Sequence, residues 1–98
     1  MQFTVKEASK RARIAAFYLG YPNVAIVFGS TIYLWNIKRE HFLNDKKHLA
    51  HELCHVAQFR KYGFLRFLIL YCWESLIHGY YNNKFEIEAR AAESTTEQ

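Results

Sequence analysis

The spacing of apolar residues divides the chain into alternating helical and extended stretches. Near the N-terminus, Val5, Ala8, Ala12, Ala15, Ala16 and Leu19 recur every three or four residues, the period that gathers them on one helix face. Thr4-Val5-Lys6-Glu7 has the form of a capping box, with Phe3 and Ala8 spaced for the accompanying hydrophobic staple. The pattern predicts a helix from about Val5 to Tyr18 or Leu19, stopped by Gly20 with Pro22 just beyond. Val24–Phe28 and Thr31–Trp35 are then rich in β-branched and aromatic residues, and Gly29-Ser30 between them suits a two-residue hairpin turn. In the second run Thr31, Tyr33 and Trp35 alternate with Ile32 and Leu34, which gives one core face and one partly exposed face. The stretch from Asn36 to Asn44 has room for a further short strand.

Asp45 or Asn44 is placed to cap a helix that runs through Tyr62 and stops at Gly63. Leu49, Ala50, Leu53, Val56 and Ala57 share its apolar side. Phe64 to about Gly79 reads as a long apolar helix carrying Glu74 and His78. A turn at Tyr81-Asn82-Asn83 follows, with Asn83 as cap of a last helix from Lys84 to about Glu93 and residues 94–98 as a frayed tail. The expected class is α+β. An N-terminal helix, a small antiparallel sheet built on the hairpin 24–35, a central helix and a C-terminal helix make up a single domain, 1–98, without internal repeats.

Composition narrows the function classes. A chain that is 51% hydrophobic and 17% aromatic has the material for a core, which excludes disorder along most of its length. The most apolar run, Phe67 to Trp73, is bounded by Arg66 and Glu74 and falls far short of the ~20 residues needed to cross a bilayer. Met1 to Leu19 is broken by Lys6, Lys10, Arg11 and Arg13, unlike the apolar core of a signal peptide, so a cytoplasmic location is the default expectation. Those four basic residues read as a solvated face. A surface that uses them with the Phe64–Trp73 segment at a membrane is the minor alternative. The net charge of +4 gives no reason to expect nucleic acid as a partner. Cys54 and Cys72 form no close pair, and both read as reduced core thiols.

The chemistry concentrates in His51-Glu52-Leu53-Cys54-His55. Residues four apart on a helix lie on one face, so the two imidazoles can converge on a single metal ion while Glu52, beside them, can accept a proton from water. Shuffled chains of this composition contain His-Glu-x-x-His in only about 2% of cases, so context has to carry the rest. Catalytic zinc commonly takes three protein ligands. A downstream histidine of the His-x-x-Gly-x-x-His kind is absent, because Gln58 and Lys61 stand at those positions. Glu86 and Glu88 on the last predicted helix are the first candidates, with Glu74, His78 and Cys54 behind them.

With these residues the chain resembles the gluzincins, metallopeptidases whose third zinc ligand is a glutamate on a downstream helix. Glu86-Ile87-Glu88-Ala89 matches the start of the Glu-x-x-Ala-Asp pattern found in several of their families. The small size resembles the minigluzincins, single-domain relatives reduced to the catalytic core, some of which fold with a blocked cleft. The resemblance implies one Zn²⁺ held by His51, His55 and Glu86, with Glu52 as general base and acid in peptide-bond hydrolysis. It implies a peptide or protein substrate aligned along an exposed edge strand, for which Thr31–Trp35 is the candidate. Tyr80, Tyr81, His78 and Arg90 are candidates to stabilise the oxyanion. Arg90 stands where the family carries an acid that steadies a ligating histidine, and Glu40, Asp45 or a backbone carbonyl would have to replace it. The alternative expectation is a catalytically silent or latent binding module with a structural metal.

Overall fold

Thr4–Lys6 forms a short strand, β1, in the computed structural model, which describes residues 2–95. The Thr4–Glu7 capping box is therefore not the start of a helix. The Thr4 amide donates to the Ser30 carbonyl at 2.8 Å, and Val5 lies opposite Ile32 in parallel register, so the backbone of these residues is satisfied by the sheet. Phe3, expected to staple the helix, packs instead against the core around Ile32 and Phe42. The helix α1 spans Lys10–Leu19 and is capped by Ser9, whose hydroxyl accepts from the Ala12 amide at 3.3 Å. It ends at Gly20 as expected, with φ 74 and the Gly20 amide on the Ala16 carbonyl.

The hairpin forms as its sequence requires. β2, Val24–Phe28, and β3, Thr31–Trp35, pair antiparallel from Val24 opposite Trp35 to Phe28 opposite Thr31, and Gly29 takes φ 65 in the turn. Because β1 adds in parallel on the far side of β3, the sheet is mixed rather than antiparallel, in the order β1-β3-β2. This reverses one expectation. Thr31–Trp35 is the central strand, and the edge beside the rest of the fold belongs to β2.

Alternation along β3 sorts the layers. Ile32 and Leu34 are fully buried and pack with Phe42 and Val56, joined by Val5, Ala25 and Val27 from the neighbouring strands. α1 covers the other face. It buries Ala12 and Ala16 and carries the Arg11 and Arg13 guanidiniums to 5.5 and 5.2 Å from the rings of Tyr33 and Trp35, so with Lys6 three of the four expected solvated cations lie over aromatic faces. The Lys6 ammonium, on β1, sits 6.0 Å from the Tyr33 ring.

Asn36–Asn44 holds no strand. It contains a short helix, α2, Arg39–Asn44, which forms because Phe42 can reach the closed core. α3 spans Lys46–Tyr62 and is capped by Asp45, whose carboxylate accepts from the His48 amide at 3.1 Å, while Asn44 ends α2. Leu49, Leu53 and Val56 face the sheet; Ala57 is exposed. α4, Phe64–His78, and α5, Lys84–Ser94, complete the five helices and three strands of the described residues. Asn83 caps α5 through the Phe85 amide at 2.8 Å, as its sequence predicts. Ser94 belongs to α5 rather than to a tail, and residues 96–98 lie outside the described part.

A second core joins α3, α4 and α5. The Phe67 ring lies 4.6 Å from Phe59 and 4.9 Å from Phe85, both edge to face, and Tyr62 and Tyr71 pack around them. These rings fix the distance between α3 and α5, on which the site depends. Both cysteines are free, but only Cys54 is half-buried; Cys72 is exposed on α4 rather than in the core. Among the described residues no helix is long and apolar enough to cross a membrane.

Candidate metal centre

One helical turn separates His51 from His55, and their rings lie 5.1 Å apart on the side of α3 away from the sheet core. Glu86, near the start of α5, reaches between them. One of its carboxylate oxygens is 3.1 Å from Nε2 of His51 and the other is 3.1 Å from Nε2 of His55. The Tyr71 hydroxyl, from α4, donates to the second oxygen. Three helices thus converge on one carboxylate that is almost wholly buried.

The remaining ring nitrogens are also committed. Nδ1 of His51 lies 2.5 Å from the Glu93 carboxylate, and Nδ1 of His55 lies 2.8 Å from Oε1 of Gln58. A carboxylate or amide oxygen at Nδ1 fixes the ring orientation and leaves Nε2 facing the centre. The amide nitrogen of Gln58 donates to the Phe85 carbonyl at 3.1 Å and to Glu88 at 2.7 Å, which ties the second histidine to α5.

Among the ligand candidates, only Glu86 meets the histidines. Glu88 is turned to Gln58, with the Cys54 thiol 3.9 Å away. Glu74 accepts from the Lys84 amide at 3.0 Å, and His78 is exposed at the end of α4. Arg90 donates to the Tyr81 carbonyl at 2.6 Å and lies 4.0 Å over the Tyr81 ring, anchoring the turn before α5. Neither of the two side chains considered as substitutes for the missing acid takes that role. Asp45 caps α3 and Glu40 is exposed, whereas Glu93 is the acid on His51. Sequence reasoning missed Glu93, Tyr71 and Gln58. For Glu93 a signal existed, since it stands two helical turns beyond Glu86 and therefore on the same face of α5.

Electrostatics follow from this crowding. Burial pushes the Glu86 carboxyl upward, but hydrogen bonds from His51 and His55 outweigh it and hold the group well below the usual carboxylate range. Burial likewise lowers the His51 imidazole, yet Glu86, then Glu52 and Glu93, raise it to about 9. His55 is raised for the same reasons, with Glu86 the main opponent of burial. The Tyr71 hydroxyl is raised by burial and then by the Glu86 charge beside it, which keeps it a proton donor. The centre is built for positive charge between its three groups, and protons or a divalent cation can supply it.

Glu52 is buried, with its carboxylate 3.3 Å from Nε2 of His48 one turn earlier. It opens with both histidines onto a cleft of about 450 Å³. The free edge of β2 forms one wall, the end of α1 with Tyr18 and Tyr21 a second, and α4 with Leu68 and Tyr71 a third. Tyr80 also lines it, whereas Tyr81 is held by Arg90 and, among the described residues, nothing beyond Glu86 on α5 enters it. His51, Glu52 and His55 offer ligand atoms within 4.8 Å of one another and can hold a metal ion.

Fold and site together define an α+β protein with a His-Glu-His group at the base of a cleft. No protein-family model, no curated protein and no solved structure matches the chain.

Proposed function

We propose that this protein is a zinc-dependent metallopeptidase of zincin-like architecture, with His51, His55 and Glu86 as metal ligands and Glu52 as general base and acid. The observation that carries the reading is the Glu86 carboxylate at 3.1 Å from both inward-facing Nε2 atoms. Two neutral imidazoles and one carboxylate are a donor set that suits Zn²⁺, and the fixed Nδ1 atoms leave the correct nitrogens to bind it. Bound zinc would supply Lewis acidity to the attacking water and to the peptide carbonyl.

The chain's own residues supply the remainder. Glu52, buried at the floor of the cleft, takes the proton from water and returns it to the leaving amine. His48 lies against its carboxylate and holds it in orientation. The open edge of β2 offers backbone donors and acceptors along which an extended peptide can pair. Tyr80, on the cleft wall, is the hydroxyl we assign to a developing oxyanion.

Metal content and turnover test the reading together. Protein purified without chelator should carry one zinc per chain, lost in His51→Ala and kept in Glu52→Gln, while Glu52→Gln should abolish cleavage of a peptide library. No divalent metal after zinc addition rejects the ligand assignment. Stoichiometric zinc with no Glu52-dependent cleavage favours the structural-metal alternative.

A further inference from the structure

The outward faces of α1 and α4 are apolar where a helix facing water is ordinarily polar. On α4, Leu65, Ile69, Trp73 and Leu76 follow one another at helical spacing and are between 59% and 78% exposed. On α1, Ile14, Phe17 and Tyr18 are 60%, 85% and 83% exposed. The core does not need these side chains, since α4 packs inward through Phe67 and Tyr71 and α1 through Ala12 and Ala16. The two faces border one cleft, lined by Tyr18 and Tyr21 on one side and by Cys72 and Tyr80 on the other. Seven large exposed apolar side chains on two helices that border one cleft are more than the singly scattered apolar residues normal on a monomer.

Its charge is one-sided. Lys10 and Arg13 stand two turns and one turn before Phe17 on α1, and Arg66 stands between Leu65 and Ile69 on α4, all exposed. α1 carries no acid, and the acid of α4, Glu74, is engaged with the Lys84 amide. Glu86, Glu88 and Glu93 are drawn into the metal centre. A second copy related by a two-fold axis would bring Lys10, Arg13 and Arg66 together with no acid on these two helices other than Glu74, already held by the Lys84 amide. An anionic bilayer supplies both an apolar layer and negative headgroups, and Trp and Tyr are side chains that settle at that boundary.

We propose that the outward faces of α1 and α4 dock on an anionic lipid surface, with the helices lying in the interface and the cleft mouth turned towards it. The 15 residues of α4 make a rod of about 22 Å, a length that lies on a bilayer and does not cross it. This docking stands whether or not the metal centre is catalytic.

Vesicle flotation of the 98-residue chain, with and without zinc, tests it. The vesicles are phosphatidylcholine alone or with about 30% phosphatidylglycerol. A Trp35→Phe background makes Trp73 the single tryptophan to follow. The chain should float with the anionic vesicles and blue-shift the Trp73 emission. Phe17→Ser with Ile69→Ser should weaken binding about tenfold or more, with the far-UV spectrum unchanged because both sites are exposed. Three results overturn the proposal: no flotation with either vesicle, equal binding by the double variant, or self-association in solution that the double variant abolishes.

Discussion

The Glu93 carboxylate lies 2.5 Å from Nδ1 of His51 and holds that ring from the side opposite Glu86. An acid in this position raises the basicity of a ligating imidazole and fixes its orientation, and losing such a partner typically weakens metal binding 10- to 100-fold. Glu93→Gln should therefore lower zinc affinity by about 10- to 100-fold in a chelator competition titration. Arg90→Ala, which touches only the Tyr81 turn, should leave affinity near that of the parent. Equal losses in both variants would remove Glu93 from its assigned role.

Stability of the metal-free protein should depend on pH in a defined direction. His51 is held above its ordinary value of 6.5, at about 9, so its contribution is complete below about 6.5 and disappears as pH rises through about 9. Glu86 is held below its ordinary 4.5, so its contribution is present above that value and fades as pH falls. The urea midpoint of the metal-free chain should fall between about pH 6.5 and 9, and the fall should flatten in Glu86→Gln. Zinc affinity should rise over the same interval, because the ligating imidazoles must give up their protons.

Asn83 is fully buried and uses every polar atom of its side chain. Its oxygen caps α5, and its nitrogen donates to the Tyr71 carbonyl at 3.1 Å and to the Ser75 hydroxyl at 2.9 Å. Asn83→Ala removes a cap and leaves buried partners unsatisfied, which should cost about 2–4 kcal/mol in chemical denaturation. Asn83→Asp keeps the cap acceptor but sets a buried carboxylate oxygen against the Tyr71 carbonyl, so its loss should be no smaller.

Thiol reactivity should separate the two cysteines. Burial, and then the charge of Glu88, pushes the Cys54 thiol up to about 11, so little thiolate exists near neutrality. Cys72 is exposed on α4. Iodoacetamide at mildly alkaline pH should modify Cys72 first, as read by peptide mass mapping. Faster labelling of Cys54 would contradict the packing around Gln58 and Glu88.

Local signals carried well from sequence to structure. Gly29-Ser30 set the hairpin, Asp45 and Asn83 capped the helices they were expected to cap, and Gly20 ended α1. What failed was non-local. Thr4–Lys6 satisfies a helix-start pattern equally well as a strand, and the choice was made by β3, a partner that sequence spacing does not reveal. The same pairing moved the sheet edge from β3 to β2. Arg39–Asn44 is too short for its period to be read, and Phe42 made it helical by finding the core. In the site, Glu86 was legible from its pattern and Glu93 from its spacing, but Tyr71 and Gln58 carry no local mark and act only once α4 and α5 have docked.

The two histidines are neighbours within α3 and assemble as soon as that helix does, whereas Glu86 and Glu93 arrive only when α5 closes against it. Under the proposed ligand set, ion occupancy would gauge chain closure: a molecule severed in the turn between α4 and α5 would keep the two histidines and lose Glu86. The last helix would then be a clasp on the ion alone, since the core around Ile32, Leu34, Phe42 and Val56 draws no side chain from it among the described residues.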